Sequence, residues 1–271
     1  MTAPKPKAGA APTTSLSTAT APGHTLVAAH RGGAAFAPEN TLAAFGRAIQ
    51  IGADMVECDV HLSRDGEVVV MHDPNVATTT DGRGLISDLT LAELKKLNDA
   101  AKFPGGYAPQ TIPTLAELLD LVKGKIGIQI EIKNTASGGR YAGIEKKVLD
   151  LIAARGMADQ VIIISFDFGV LKDVKTLDPH MRTGALVQAN WFVSRSADQS
   201  VGDAIAQTGA EYFLPAYAPV NQAVVNAAHA RGIKVGVWTV DTAADMTRFV
   251  GLGVDAITTN RPDDLMKVLG R

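Results

Sequence analysis

The chain of 271 residues contains one cysteine, Cys58, which excludes an intrachain disulfide and a cysteine-based metal centre. It has no run of about 18 apolar residues, so no membrane-spanning helix is expected. A basic surplus is missing too: 26 Lys and Arg stand against 28 Asp and Glu, a net charge of −2. Nucleic acid and polybasic docking on a membrane are therefore not expected, and a small-molecule substrate is favoured. The first apolar run is not followed by a Gly-x-Gly-x-x-Gly turn, which argues against a dinucleotide fold.

Residues 1–24 are rich in Ala, Pro, Thr and Lys and lack the hydrophobic stretch of an intact signal peptide. They read as a disordered tail. The tail could be a spacer left by export or an appended segment, so cytoplasmic and periplasmic or secreted locations both stay open. Neither oligomeric state nor compartment follows from the residues.

Of the whole chain, 46% is hydrophobic, enough for a sizeable core in residues 25–271. The (β/α)8 barrel is a class that reaches this length as a single domain. Apolar runs that read as strands fall at 26–30, 55–61, 126–132, 161–165, 182–187, 211–214, 233–238 and 255–259. Helical spacing separates them, at about 38–50, 114–123, 141–154, 167–177, 198–207, 219–230, 242–250 and 262–269. Eight βα units predict a closed parallel (β/α)8 TIM barrel, with a doubly wound open sheet as the alternative. Asp65-Gly66 signals a hairpin joining 55–61 to a strand at 68–72. Residues 73–113, with many Thr, Asp, Gly and Pro, read as a small insertion after the second barrel strand. Thr114 and Glu117 have the spacing of a capping box.

In such a barrel the site lies where the strands end at their C-terminal side. His30 and Arg31 end the first strand. Glu57 and Asp59 lie late in the second, on one face because strand side chains alternate, with Cys58 turned to the core as a buried thiol. Glu131 and Lys133 repeat the spacing in a strand whose other face is Ile126, Ile128, Ile130 and Ile132. Three inward carboxylates need positive charge. All-oxygen ligation would select Ca2+ or Mg2+; the alternative is a metal-free network with Arg31 and Lys133. His30 and His72 are candidates for general acid and base. Arg31 and Lys133 suit a phosphate oxyanion. Phe166 and Trp238 could wall a substrate, or Phe166 could fill the core. Gly32-Gly33 is a weak phosphate-turn signal, and His61 shares the face of Glu57 and Asp59 as a supporting candidate. His24, His180 and His229 have no such context. From residues alone this is a metal-assisted phosphoryl-transfer or hydrolytic site suited to a phosphodiester.

At His30-Arg31-Gly32-Gly33, Pro38-Glu39-Asn40-Thr41, Glu57-x-Asp59, Asp65-Gly66 and His72-Asp73 the chain resembles the glycerophosphodiester phosphodiesterase family. The resemblance continues through Glu131-Ile132-Lys133, Ser165-Phe166, Trp238-Thr239-Val240 and Thr258 to Pro262. It implies a (β/α)8 barrel that hydrolyses glycerophosphodiesters to sn-glycerol 3-phosphate and an alcohol such as choline or ethanolamine, with one divalent cation. It implies His30 and His72 as the acid–base pair, Glu57, Asp59 and Glu131 as metal ligands, and Arg31 and Lys133 as neutralisers of phosphate charge. Glu39 and Asn40, on the first helix, would shape the site floor. Two positions depart from the family's pattern. Asp241 stands where the family often has Asn, and Asn260 where Asp is common. Both are expected at the rim, clear of the catalytic set, where they bear on substrate preference. Two rival functions share the barrel: lysophospholipase D or sphingomyelinase D-like cleavage, which needs a longer apolar groove, and a catalytically silent binding barrel, which would lack a catalytic residue.

Overall fold

The computed structural model describes residues 24–271; the expected tail, apart from His24, lies outside the described residues. The strands are β1 (Leu26–Ala29), β2 (Met55–Leu62), β3 (Val68–Val70), β4 (Gly127–Ile132), β5 (Val161–Ser165), β6 (Thr183–Val187), β7 (Tyr212–Pro215), β8 (Lys234–Val237) and β9 (Ala256–Thr259). All but β3 pair in parallel, and β1 pairs with both β2 and β9. That double pairing closes the sheet into an eight-stranded barrel and rules out the open doubly wound alternative.

The helices are α1 (Leu42–Gln50), α2 (Leu91–Leu94), α3 (Leu115–Val122), α4 (Ile144–Ala153), α5 (Phe168–Leu177), α6 (Ala197–Thr208), α7 (Gln222–His229), α8 (Ala243–Leu252) and α9 (Pro262–Val268). None among the described residues is long and apolar enough to cross a membrane. Strand alternation sorts the core. Val56, Cys58, Val60, Ile128, Ile130 and Ile132 face the surrounding helices, packed with Phe45, Leu115 and Leu119. The opposite parity, including Leu26, Ala28, Met55, Ile162, Ile164, Leu186 and Leu214, forms a smaller cluster inside the barrel. Beyond Met55, β2 and β4 depart from this apolar filling, because the inward residues that follow are Glu57, Asp59, Gln129 and Glu131.

β2 and β3 form the expected antiparallel hairpin, closed by Ser63 N–H to the Glu67 carbonyl at 3.0 Å. Residues 73–113 fold as two 3-10 turns and α2. Their Val76, Ile86, Leu94 and Ile112 pack against Val69 and Met71 as a separate cluster. The capping box at α3 forms as its spacing predicts, with Thr114 and Glu117 satisfying each other's backbone N–H groups.

Element ends shift by one to four residues from expectation, and three of these shifts lie beside the site. β1 stops at Ala29, and His30–Gly32 turn as 3-10. β3 stops at Val70, leaving His72 in the connection that follows. The first helix begins at Leu42 rather than Pro38. Asn40 adopts φ 59°, and the Thr41 hydroxyl accepts the Ala44 N–H as the cap. Glu39 and Asn40 therefore stand before the helix, not on it.

Candidate active site

The parallel register sets Asp59 beside Glu131 and Glu57 beside Gln129. Glu57, Asp59 and Glu131 thereby each offer an oxygen within 4.8 Å of the others, and all three are buried. Lys133 Nζ lies 2.8 Å from Glu131 and 3.4 Å from Asp59. Arg31 takes φ 50°, donates its backbone N–H to Glu57 Oε2 at 3.0 Å and one guanidinium N–H to Glu39 at 2.9 Å. Its Nε is 3.6 Å from Asp59 Oδ2 and has no hydrogen-bond partner among the described residues. Asn40 donates to Asp59 Oδ2 at 3.0 Å. The Arg31 turn needs Gly32. With φ +85°, a Cβ there would sit 2.7 Å from the Ala44 Cβ and 2.8 Å from backbone of α1. Close packing on α1 explains this glycine.

Charge within the cluster is unequally compensated. Burial raises Glu57 well above the usual carboxylate range, and Asp59 and Glu131 raise it further. Burial also pushes Glu131 up to about 7 against the pull of Lys133. Burial works the same way on Asp59, but Lys133, His72 and Arg31 outweigh it and hold that carboxyl at about 2. The two cations thus neutralise Asp59 and leave two buried carboxyls short of positive charge. An all-oxygen set with this deficit fits a hard divalent cation.

His30 lies 3.9 Å from Glu57, measured from its Nε2, while its Nδ1 is 2.7 Å from Asn260 Oδ1. Burial, helped by Arg31, lowers it to about 4. His72 Nδ1 is 2.6 Å from Asp73 Oδ1. Both rings keep Nε2 free of hydrogen bonds to the described residues. His61, fully buried, places Nε2 3.0 Å from the His72 carbonyl and Nδ1 3.0 Å from the Tyr141 hydroxyl. It supports the segment that carries His72.

One cavity of about 350 Å3 brings these groups together. His30, Arg31, Glu57, His72, Glu131 and Lys133 line its polar side; Ile164, Phe166, Leu186, Leu214 and Trp238 line the other. Asp59 lies behind the lining at 1% exposure. Phe166 meets Trp238 edge to face at 5.4 Å and is 38% exposed, so it is not core filling. Trp238 donates its indole N–H to the Leu214 carbonyl at 2.8 Å. His180 and His229 stay outside the cavity, His229 paired with Asp255.

The model of the glycerophosphoryl diester phosphodiesterase family matches residues 30–264. The chain belongs to that family. It is a phosphodiesterase of the phosphoric diester hydrolase class. A glycerophosphodiester phosphodiesterase of Caldanaerobacter subterraneus is 38% identical over 250 residues, covering 90% of this chain and 98% of that one. Among solved structures, a phosphodiesterase of Oleispira antarctica, in complex with the product sn-glycerol-3-phosphate, superposes with a TM-score of 0.77 at 28% identity. That match covers 91% of this chain and 97% of the other. A glycerophosphodiester phosphodiesterase of Agrobacterium tumefaciens gives 0.76 at 27% identity, covering 90% and 99%.

One expectation about the family's two departures is overturned. Asn260 is not clear of the catalytic candidates, because it follows β9 directly and its Oδ1 meets the His30 ring. Asp241 stands one contact further out, accepting from Asn260 Nδ2 at 2.7 Å and Asn260 N–H at 2.8 Å. The signal was strand parity: Asn260 continues the inward series Ala256, Thr258. Gln129 was overlooked although it shares the inward face of β4 with Glu131 and lies beside Glu57, because it is uncharged.

Proposed function

We propose that the chain hydrolyses glycerophosphodiesters, such as glycerophosphocholine and glycerophosphoethanolamine, to sn-glycerol 3-phosphate and the free alcohol. The observation that carries this reading is the cavity itself, where two histidines with free Nε2 atoms stand beside three carboxylates, Arg31 and Lys133. Its volume of about 350 Å3 is at the small end for ligand sites. That supports a small, water-soluble diester over a lysophospholipid or sphingomyelin, whose acyl chain would need a longer groove. The presence of both histidines and all three acids opposes the silent-barrel reading.

Glu57, Asp59 and Glu131 would hold one divalent cation, Ca2+ or Mg2+. When bound, it supplies positive charge for the phosphate oxygens and acidity for the attacking hydroxyl. Arg31 and Lys133, which both line the cavity, would take the remaining phosphate charge. One histidine would accept a proton from the glycerol hydroxyl next to the phosphodiester. That oxygen would bond to phosphorus as the bond to the alcohol breaks, and the other histidine would protonate the departing alcohol. Water then opens the cyclic phosphate with the histidine roles reversed, giving sn-glycerol 3-phosphate. Phe166 and Trp238 would offer an apolar and π surface to the alcohol, suited to a quaternary ammonium head.

The test is a substrate panel. Glycerophosphocholine and glycerophosphoethanolamine are expected to release glycerol 3-phosphate, with slow turnover or none on lysophosphatidylcholine. The reverse preference would overturn the substrate assignment. Cation binding should depend on pH. Glu131, held at about 7, must lose its proton to ligate, so calorimetric affinity should fall below about pH 7 by about tenfold per pH unit for each proton displaced. An affinity flat between pH 5 and 8 would remove Glu131 from the ligand set.

A further inference from the structure

His30 is the only one of the two cavity histidines whose Nδ1 partner is an amide; His72 has the Asp73 carboxylate. An amide can present either its oxygen or its NH2, so the partner alone does not decide where the His30 proton sits. Asp241 decides it. Its carboxylate only accepts. It takes the Thr259 hydroxyl at 3.1 Å, the Asn260 backbone N–H at 2.8 Å and the Asn260 Nδ2–H at 2.7 Å. With Nδ2 committed to Asp241, Asn260 can offer His30 only Oδ1, and the neutral ring must carry its proton on Nδ1.

We propose that Asp241 and Asn260 are positioning residues: Asp241 locks the Asn260 amide, and Asn260 locks His30 as the Nδ1–H tautomer with the Nε2 lone pair facing the carboxylate cluster. Nε2 is the atom 3.9 Å from Glu57 Oε2 and the one able to accept a substrate proton. The dependence on a catalytic His30 rests on the proposed function; the tautomer does not. The lock also makes a reciprocal prediction. An Asn260→Asp change alone would face two carboxylates at 2.7 Å, whereas exchanging both side chains restores one amide and one carboxylate with an acceptor still on His30.

Long-range 1H–15N correlation of the imidazole rings, with His30→Ala to assign the signals, reads the tautomer without any substrate. The full chain is expected to show His30 protonated on Nδ1, and Asn260→Ala to show mixed tautomers. Asp241→Asn/Asn260→Asp should return the ring to the Nδ1–H form. Turnover of glycerophosphocholine supplies the second readout. In Asn260→Ala, kcat should fall by about 10–100-fold, the usual cost of losing a partner that orients an active group. KM and the melting midpoint should stay near those of the unaltered chain, and the double exchange should recover most of kcat. A His30 ring still held on Nδ1–H in Asn260→Ala overturns the proposal. So does a kcat unchanged in that variant, or a loss not relieved by the exchange. An unaltered chain inactive on every glycerophosphodiester would instead strike the proposed function, with the ring spectra still deciding the lock.

Discussion

Replacing either His30 or His72 by alanine is expected to cut turnover of glycerophosphocholine by about 10²–10⁴-fold, the usual worth of a positioned acid or base. Both side chains reach the cavity from connections rather than strands, His30 from the turn after β1 and His72 from the segment after β3. Neither fills the barrel core, so stability should change little. Neither belongs to the carboxylate set, so cation affinity should survive. Burial holds His30 at about 4, so under the proposed function the ring would enter the reaction neutral near pH 7. That suits the base more than the acid in the first step. Stopped assays of glycerol 3-phosphate on both variants, with calorimetry of the added cation, check this. Wild-type turnover in either variant would remove that histidine from the acid–base pair.

The second large effect separates residues within the carboxylate set. Asp59 is where Lys133, Arg31 and Asn40 converge, so Asp59→Ala leaves Lys133 to Glu131, Arg31 to Glu39 and the buried Asn40 amide without its acceptor, and should destabilise the fold by about 1–3 kcal/mol. Glu57 is different, because burial and its neighbours Asp59 and Glu131 already work against its charge. Glu57→Gln removes that charge while its side-chain oxygen can still accept the Arg31 N–H. The cation-free protein should therefore keep its stability or gain some. Cation affinity should fall by more than the roughly 10–100-fold that losing a mere supporting partner costs. Urea denaturation in chelator, paired with calorimetry, reads both. Equal destabilisation by the two changes would mean the charge is shared evenly across the cluster.

Much of this was legible in the sequence because strand parity is strict. Glu57 and Asp59 alternate with Val56, Cys58 and Val60, and Glu131 with Ile130 and Ile132, so the polar face of β2 and β4 could be named before any coordinates. The barrel count followed from the same rhythm. The approach to α1 was less readable. Pro38 favours a helix start, yet Asn40 takes a left-handed conformation so that its amide reaches Asp59, and the helix waits for the Thr41 cap. The meeting of His30 with Asn260 spans 230 positions and depends on β1 and β9 closing the barrel. Parity turns both residues inward, but only the pairing of β1 with β9 brings them together. Asp241 is harder still, since it acts on His30 only through Asn260.

Chelation and add-back test the central claim most directly. The protein would be stripped with a chelator, and glycerol 3-phosphate release from glycerophosphocholine followed before and after adding Ca2+ or Mg2+. The predicted result is that release stops in chelator, returns with one of the two cations, and does not return in Glu57→Gln at the same cation concentration. Full release from the stripped protein would contradict a cation held by Glu57, Asp59 and Glu131 and return that cluster to a metal-free network with Arg31 and Lys133.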